Sequence, residues 1–165
     1  EKKVNLKKEI SVVITRYLNG ETYIYEPIEN IHKDQILNHS KIPADINKEI
    51  FVKAQSNAKA QYSKYPVGAA LLTSDDTIIH GCNVESKAYP TTLCAERVAI
   101  FSAIAQGYTK FKALAIITED GGTPCGGCRQ IIHEYLGDIP LYIADNSVES
   151  YRSFIISELL PHPFE

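Results

Sequence analysis

The chain has little of what nucleic-acid-binding or membrane proteins need. Of its 165 residues, 17 are Lys or Arg and 20 are Asp or Glu, which gives a net charge of −3. Phosphate backbones are held by clustered cations, and no basic tract is present, so we expect no nucleic-acid partner. No apolar run approaches the roughly 20 residues that span a bilayer, and the first ten residues are mostly charged, unlike a signal peptide. We therefore expect a cytoplasmic protein without membrane association.

Methionine and tryptophan are absent, and cysteine is scarce. Because position 1 is Glu and no Met is present, either the numbered chain does not begin at its natural initiator or methionines are missing from the sequence, and the residues do not decide between the two. The four cysteines stand in a chain without a visible export signal, where thiols stay reduced. They therefore favour metal ligands or a redox pair over disulfides.

Hydrophobic patterning predicts an α/β domain behind an N-terminal extension. Strand-like residues on both sides of Asn19-Gly20 predict a β-hairpin, and a short helix is predicted near 30–38. We assign residues 1–44 to this extension, whose role the sequence does not indicate, and 45–165 to the main domain. The main domain is predicted to contain a helix at 46–61, strands at 67–73 and 77–84, a helix at 94–106, a strand at 113–118, a helix at 125–136, a strand at 140–144 and a last helix at 151–159. This order implies right-handed crossovers over a mixed sheet.

Three cysteines and one glutamate carry the strongest chemical signal. Cys94 and Glu96 lie in the phrase CAER, and Cys125 and Cys128 lie in PCGGCRQ, some thirty residues later. Three thiolates can hold Zn²⁺ and leave a fourth corner for water, and a carboxylate two residues from a ligand is placed to move the protons of that water. This combination is the signature of zinc nucleobase deaminases, so Zn²⁺ is the expected cofactor. Both phrases are predicted to open helices, whose N-terminal partial charge favours thiolates.

These motifs, together with YSKYPVGAALL (62–72), GCNVESKAYPTTLCAER (81–97) and ELLP (158–161), resemble the cytidine deaminase family from about residue 46 onward. The resemblance implies a three-layer α/β/α fold with a mixed central sheet. It implies hydrolytic deamination of cytidine or deoxycytidine to uridine or deoxyuridine plus ammonia, as in pyrimidine salvage. Zinc-bound hydroxide would attack C4 of the base while Glu96 moves the protons. It also implies a homotetramer in which neighbouring chains complete each other's sites.

The resemblance assigns roles to further residues. Asn83 and Glu85 alternate along a predicted strand, so their side chains share a face, and they would bind the ribose. Arg97 and Arg129 both follow ligands closely, and the resemblance selects Arg97 as the one that withdraws charge from a thiolate, with Gln130 also behind the ligands. The remaining substrate-binding positions are Tyr65, Ala95, Tyr89 and Phe164. Tyr65 stands where the family usually has Phe, and its added hydroxyl needs a partner.

Other interpretations remain open from the residues alone. A deaminase of a modified cytosine nucleoside, such as an aminoacylnucleoside antibiotic, would use the same zinc motifs, but it need not grip ribose, which counts against it given Asn83 and Glu85. A non-catalytic zinc module has no use for Glu96 and usually supplies a fourth protein ligand. A redox C-x-x-C at 125–128 is disfavoured because Cys94 and Glu96 complete a metal site.

Overall fold

The computed structural model describes residues 9–11, 14–16, 22–24, 28–33, 36–41 and 48–164. The chain divides into two compact units, residues 1–47 and 48–165. The described elements of the first unit are the strands β1 (Glu9–Ser11), β2 (Ile14–Arg16), β3 (Thr22–Ile24), β4 (Ile28–Lys33) and β5 (Ile36–Lys41).

Strand pairing in the first unit confirms the predicted hairpin and corrects the predicted helix. Strands β2 and β3 pair antiparallel with Ile14 opposite Ile24, while the Asn19-Gly20 turn lies outside the described residues. The helix predicted near 30–38 is wrong, because β4 pairs with both β1 and β5 across that stretch. The isoleucines of this segment are β-branched and favour an extended backbone, which pairing with the neighbouring strands then fixes.

The second unit is built on a mixed five-stranded sheet. Its elements are α1 (Lys48–Gln55), β6 (Gly68–Thr73), β7 (Ile78–Cys82), α2 (Ala95–Ala105), β8 (Phe111–Ile117), α3 (Gly126–Leu136), β9 (Leu141–Ala144), β10 (Tyr151–Phe154) and α4 (Ile156–Leu159), with a 3₁₀ turn at Tyr89–Thr91. The strand order is β10-β9-β8-β6-β7, and only β8 and β9 are parallel. None of the helices in these described segments is long and apolar enough to cross a membrane.

Two glycines show that helices cover both faces of this sheet. Gly81 lies opposite Ala69, the residue after Gly68, so Gly68 and Gly81 face opposite sides of the sheet. A Cβ on Gly68 would lie 2.5 Å from the backbone nitrogen of Gln55 in α1, and a Cβ on Gly81 would lie 2.5 Å from that of Ala99 in α2. Each glycine therefore lets a helix backbone rest directly on the sheet, and the predicted three-layer α/β/α architecture is confirmed.

The main core lies on the face covered by α2. Leu71, Leu114 and Leu141 are aligned across β6, β8 and β9 and have no exposed surface. They pack with Ile100 of α2 and Ile132 of α3, which are equally buried. Each such side chain stabilises the fold by roughly 1.5–3 kcal/mol, so the helices that carry the candidate ligands are anchored through their apolar faces.

The strand directions bring the candidate motifs to one edge of the sheet. Both β7 and β8 run antiparallel to β6, which lies between them, so β7 and β8 point the same way. Their carboxyl ends therefore meet at the same edge. From that edge one loop leads to Cys94 and the other to Cys125, which precede α2 and α3.

The predicted last helix at 151–159 is only partly correct. Tyr151–Phe154 form strand β10, which pairs antiparallel with β9, and only Ile156–Leu159 are helical. The aromatic ends of β10 favour a pleated backbone, and pairing with the edge of the sheet decides the conformation. The helix predicted at 46–61 is shorter in the structure, where α1 covers only Lys48–Gln55.

Candidate active site

Three cysteine sulfurs converge where α2 and α3 begin. Cys94 and Cys125 each lie immediately before a helix, and Cys128 lies in the first turn of α3. The three Sγ atoms lie within 4.8 Å of one another, and Cys94 and Cys125 are 3.9 Å apart. Sulfurs around a tetrahedral Zn²⁺ at about 2.3 Å would be spaced by roughly 3.8 Å. The donor set and its spacing therefore fit zinc.

Cys94 and Cys128 shift each other's pKa in opposite directions. Hydrogen bonding from Cys128, followed by that from Arg97, lowers the pKa of Cys94 to about 5. The same bond to Cys94, reinforced by burial, raises the pKa of Cys128. Metals bind thiolates and not thiols, so the lowered pKa of Cys94 favours the form that a metal would bind.

Glu96 is a buried carboxyl group beside the thiols. It is the second residue of α2 and is 4% exposed, and Ala95 before it is fully buried. Burial is the main cause that raises the pKa of Glu96, and the charge of Cys94 adds to it. A raised pKa lets a carboxyl group accept and return a proton near neutral pH, as a general acid–base requires.

The two arginines that follow the ligands lie in different surroundings. Arg97 places Nη2 3.6 Å from the sulfur of Cys94 and 3.2 Å from the carbonyl oxygen of Thr92. Arg129 instead donates to the carbonyl oxygens of Pro124, at 2.7 Å, and Leu159, at 2.8 Å. The structure therefore brings Arg97 to the sulfur cluster and turns Arg129 toward the backbone.

Asn83 and Glu85 both hold the loop before β6. The amide of Asn83, 8% exposed, accepts from the backbone N–H of Val67 and donates to the carbonyl of Tyr65, both at 2.9 Å. Glu85 accepts from the backbone N–H groups of Tyr62, at 2.7 Å, and Ser63, at 3.2 Å. The side-chain hydrogen bond with Ser63 is the main cause that lowers the pKa of Glu85, and the backbone bond from Tyr62 adds to it.

The hydroxyl of Tyr65 finds its partner in Asp120, a residue that sequence reasoning missed. Tyr65 donates to Oδ1 of Asp120 in the loop after β8. The backbone N–H of Gly122 donates to the same oxygen at 3.1 Å. The signal was the tyrosine itself, because a hydroxyl at that position demands a partner, but nothing in the sequence says which residue supplies it.

The two outer aromatic positions expose their rings. Tyr89 is 73% exposed and packs edge-on against Tyr62 with ring centroids 6.3 Å apart. Phe164 is 84% exposed, while its backbone is held by the Gln130 side chain through bonds of 2.9 and 3.0 Å. Each ring is therefore presented at the surface.

Comparison with known families identifies the second unit. The family model described as the cytidine and deoxycytidylate deaminase zinc-binding region matches residues 46–140, more than half of the chain. The chain belongs to the cytidine deaminase family. This family match spans the sulfur cluster, Glu96 and the strands that position them.

Individual relatives agree with the family match. The cytidine deaminase of Sporosarcina psychrophila is 47% identical over 115 residues, which cover 68% of this chain and 84% of the relative. The crystal structure of the cytidine deaminase from Burkholderia pseudomallei superposes with a TM-score of 0.66 at 37% identity, covering 73% of this chain and all of that one. A more distant relative, the blasticidin-S deaminase of Bacillus cereus, is 30% identical over 109 residues, or 60% of this chain and 76% of the relative.

A second family model, that of the ATP-grasp domain, matches residues 1–68. It covers less than half of the chain and overlaps the deaminase match from residue 46. Helix α1, inside that overlap, packs on β6, β7 and β8 of the cytidine deaminase sheet. The structure therefore assigns residues 48–68 to the deaminase unit.

Proposed function

We propose that the chain hydrolyses the C4 amino group of cytidine or deoxycytidine, giving uridine or deoxyuridine and ammonia, as a step of pyrimidine salvage. One observation carries this proposal: a buried glutamate with a raised pKa stands beside three converging cysteine sulfurs at one edge of the sheet. A structural metal site has no need of such a carboxyl group. The cytidine deaminases among its relatives support the choice of substrate.

Zinc would be held by Cys94, Cys125 and Cys128. When bound, it would supply Lewis acidity that makes water nucleophilic at neutral pH. Glu96 would take a proton from the attacking water, pass it to N3 of the base and assist the departure of ammonia. One carboxyl group suffices because the proton that it accepts is the proton that it returns. Arg97 would draw negative charge from the sulfur of Cys94.

The sugar would bind to Glu85 and Asn83. The carboxylate of Glu85 keeps an exposed side after its bonds to Tyr62 and Ser63, and a ribose hydroxyl can donate to it. The side-chain amide of Asn83 already accepts one hydrogen bond from Val67 and donates one to Tyr65. Its oxygen can accept a second bond and its nitrogen can donate a second one, both to the substrate. The aromatic ring of Tyr65 and the buried Ala95 would line the pyrimidine side.

We further propose a homotetramer in which the exposed rings of Tyr89 and Phe164 reach a neighbouring site. The support is the exposure of both rings and the anchoring of the Phe164 backbone by Gln130, which fixes the ring position without burying it. Light scattering at micromolar protein concentration tests this assembly. A fully active monomer would contradict it, and Phe164→Ala should lower activity while leaving the zinc content unchanged.

The activity is tested by the loss of cytidine absorbance and the release of ammonia on adding purified protein. We expect turnover that a chelator abolishes and that added Zn²⁺ restores. Free cytosine should be a much poorer substrate, because remote binding energy from the sugar also supports turnover. Equal catalytic efficiency on cytosine and cytidine, or full activity in Glu85→Ala, would contradict the assignment of the sugar site.

A second candidate is deamination of blasticidin S, which the Bacillus cereus relative favours. Blasticidin S measured beside cytidine under identical conditions decides between the two. The carboxylate of Glu85, which is half-exposed and has a lowered pKa, favours a nucleoside with free sugar hydroxyls. We therefore expect a higher catalytic efficiency on cytidine.

A further inference from the structure

Tyr65 is held at its backbone and at its hydroxyl by residues from two different segments of the chain. At its backbone, the amide of Asn83 donates to the Tyr65 carbonyl oxygen at 2.9 Å. At its tip, the hydroxyl donates to the carboxylate of Asp120, 55 positions away in sequence. A side chain fixed at both ends loses the rotational freedom that an exposed tyrosine would keep. Tyr65 is therefore tied to two separate segments of the chain, through its carbonyl oxygen and through its hydroxyl.

The far end of this link lies in the loop that leads to a metal ligand. Asp120 follows β8 and stands five residues before Cys125. Its Oδ1 also accepts from Thr118 at 3.3 Å and from the backbone N–H of Gly122 at 3.1 Å. Gly122 donates in addition to the hydroxyl of Thr118 at 2.7 Å, and Thr118 is buried. The bond from Tyr65 thus joins a network that shapes the approach to Cys125.

The approach of the two segments depends on a missing side chain. A Cβ on Gly122 would lie 2.8 Å from the Tyr65 hydroxyl oxygen and 3.2 Å from Oδ1 of Asp120. The first of these distances is shorter than real carbon contacts allow, so an added methyl group at Gly122 would displace the tyrosine tip. The absence of a side chain at position 122 therefore leaves room for the hydrogen bond between Tyr65 and Asp120.

The charge states agree with a directed hydrogen bond. Burial, and then the bond to Asp120, raises the pKa of Tyr65, so the phenol keeps its proton. The bond from Tyr65 is the first cause that lowers the pKa of Asp120, so the acceptor is an anion. A neutral donor facing an ionised acceptor is the stronger class of hydrogen bond.

We propose that Asp120 is a positioning residue that acts through Tyr65, tying the aromatic wall of the base pocket to the loop that carries Cys125. The inference rests on the proposed function for the pocket side, and on geometry alone for the loop side. It couples two properties that would otherwise be independent: the affinity for the nucleoside and the retention of zinc. Asp120 would contact neither the nucleoside nor the zinc, and its effect would pass through the hydroxyl of Tyr65.

Three variants break this bond in different ways. Tyr65→Phe removes the donor, Asp120→Ala removes the acceptor, and Gly122→Ala forces the partners apart while keeping both. Each should raise KM for cytidine about three- to tenfold and speed the release of zinc to a chelator by a similar factor, as the loss of one exposed charge-assisted bond implies. Asp120→Asn keeps an acceptor oxygen and should restore most of both properties. In Tyr65→Phe, adding Gly122→Ala should have little further effect.

Controls separate this role from a general loss of stability. Tyr135→Phe, at a half-exposed tyrosine of α3 that packs on Phe101, should change neither readout. The melting temperature of each variant is measured alongside. Lower melting temperatures without a change in KM or in zinc release would overturn the proposal.

Two further results would also overturn it. If Asp120→Ala acts and Tyr65→Phe does not, Asp120 only forms its turn. If only one of the two readouts moves in Tyr65→Phe, the pocket and the ligand loop are not coupled. A wild-type protein without activity on cytidine would refute the proposed function instead, while zinc release would still test the link.

Discussion

The two helix starts that carry the thiols are alike in backbone and unlike in their surroundings. Cys94 has φ −74° and ψ 154°, and Cys125 has φ −66° and ψ 163°, both extended, as is usual for a residue before a helix. Neither sulfur caps its helix, so both are free to face each other. An arginine then follows within the first turn or just beyond it. The two helix starts therefore share one local backbone arrangement.

The difference lies in what each arginine bonds. Arg97 donates to the sulfur of Cys94, and its buried Nε has no hydrogen-bond partner in the part of the chain that the structure describes. Arg129 directs all three of its nitrogens to the framework, through the carbonyl oxygens of Pro124 and Leu159 and the Thr123 hydroxyl. At the start of α2 the arginine therefore bonds a sulfur, and at the start of α3 it bonds only the framework.

Removing a thiol from either helix start should have the largest effect. Cys94→Ala and Cys125→Ala each leave two protein ligands, too few for a stable zinc site, so we expect loss of zinc and of activity in both. Elemental analysis of the purified variants measures the metal. Cys82→Ala, which alters a half-buried thiol outside the cluster, is the matched control and should keep its zinc. Zinc retained in a Cys94→Ala/Cys125→Ala double variant would refute the site.

Glu96→Gln should lower turnover strongly while leaving the structure of α2 intact. Glutamine keeps the size and polarity of glutamate but cannot accept a proton, so turnover should fall by about 10²–10⁴-fold. Zinc content should stay near that of the wild type. Steady-state rates with metal analysis on the same preparation check both statements, and Glu149→Gln on the surface serves as the control. Near-normal turnover would show that another group moves the proton.

Arg97→Ala should lower activity or zinc affinity with little loss of stability, unlike the same change at Arg129. Loss of a group that orients or tunes a ligand costs about 10- to 100-fold in activity or metal affinity, so kcat/KM or zinc affinity should fall within this range. The melting temperature should change little, because Arg97 makes one bond to the framework besides its bond to sulfur. If Arg129→Ala lowers activity equally at unchanged stability, the contrast between the helix starts is wrong.

Arg129→Ala should instead lower stability, and of these variants it should have the smallest effect on turnover. Three bonds from a charged group are lost, two of them to part-buried carbonyls. We expect a loss of roughly 2–3 kcal/mol in unfolding free energy and a melting temperature lower by about 5–10 °C. Calorimetry measures this, and turnover below the transition should stay within a few-fold of the wild type. Unchanged stability would show that α3 does not need this support.

Much of the fold and the grouping of the three cysteines could be predicted because their signals are local. The cysteines, Glu96 and the helix starts lie in two short phrases, and metal chemistry restricts which residue types can serve there. The strands of the central sheet were recognisable from their apolar runs. The errors occurred at β10 and at β4–β5, where pairing with a distant strand decides the conformation and a local pattern cannot show the partner.

The contacts that distinguish one arginine from the other could not be predicted for the same reason. Arg129 is fixed by Leu159, thirty residues away, and Tyr65 by Asp120, fifty-five residues away. Each position is plausible as a surface side chain when only its neighbours in sequence are known. Such pairs arise from the way strands and loops meet in three dimensions, and a single sequence carries no record of them.

The contact between Gly81 and α2 bears on how natural alleles should be judged. The strand backbone at Gly81 sits where any Cβ would press on the first turns of the helix that carries Glu96. A Gly81→Ala allele would preserve every residue of both zinc phrases, and a genome survey based on those phrases would count it as functional. Its helix start would nonetheless be displaced, so inactivating mutations in this gene need not alter a single catalytic residue.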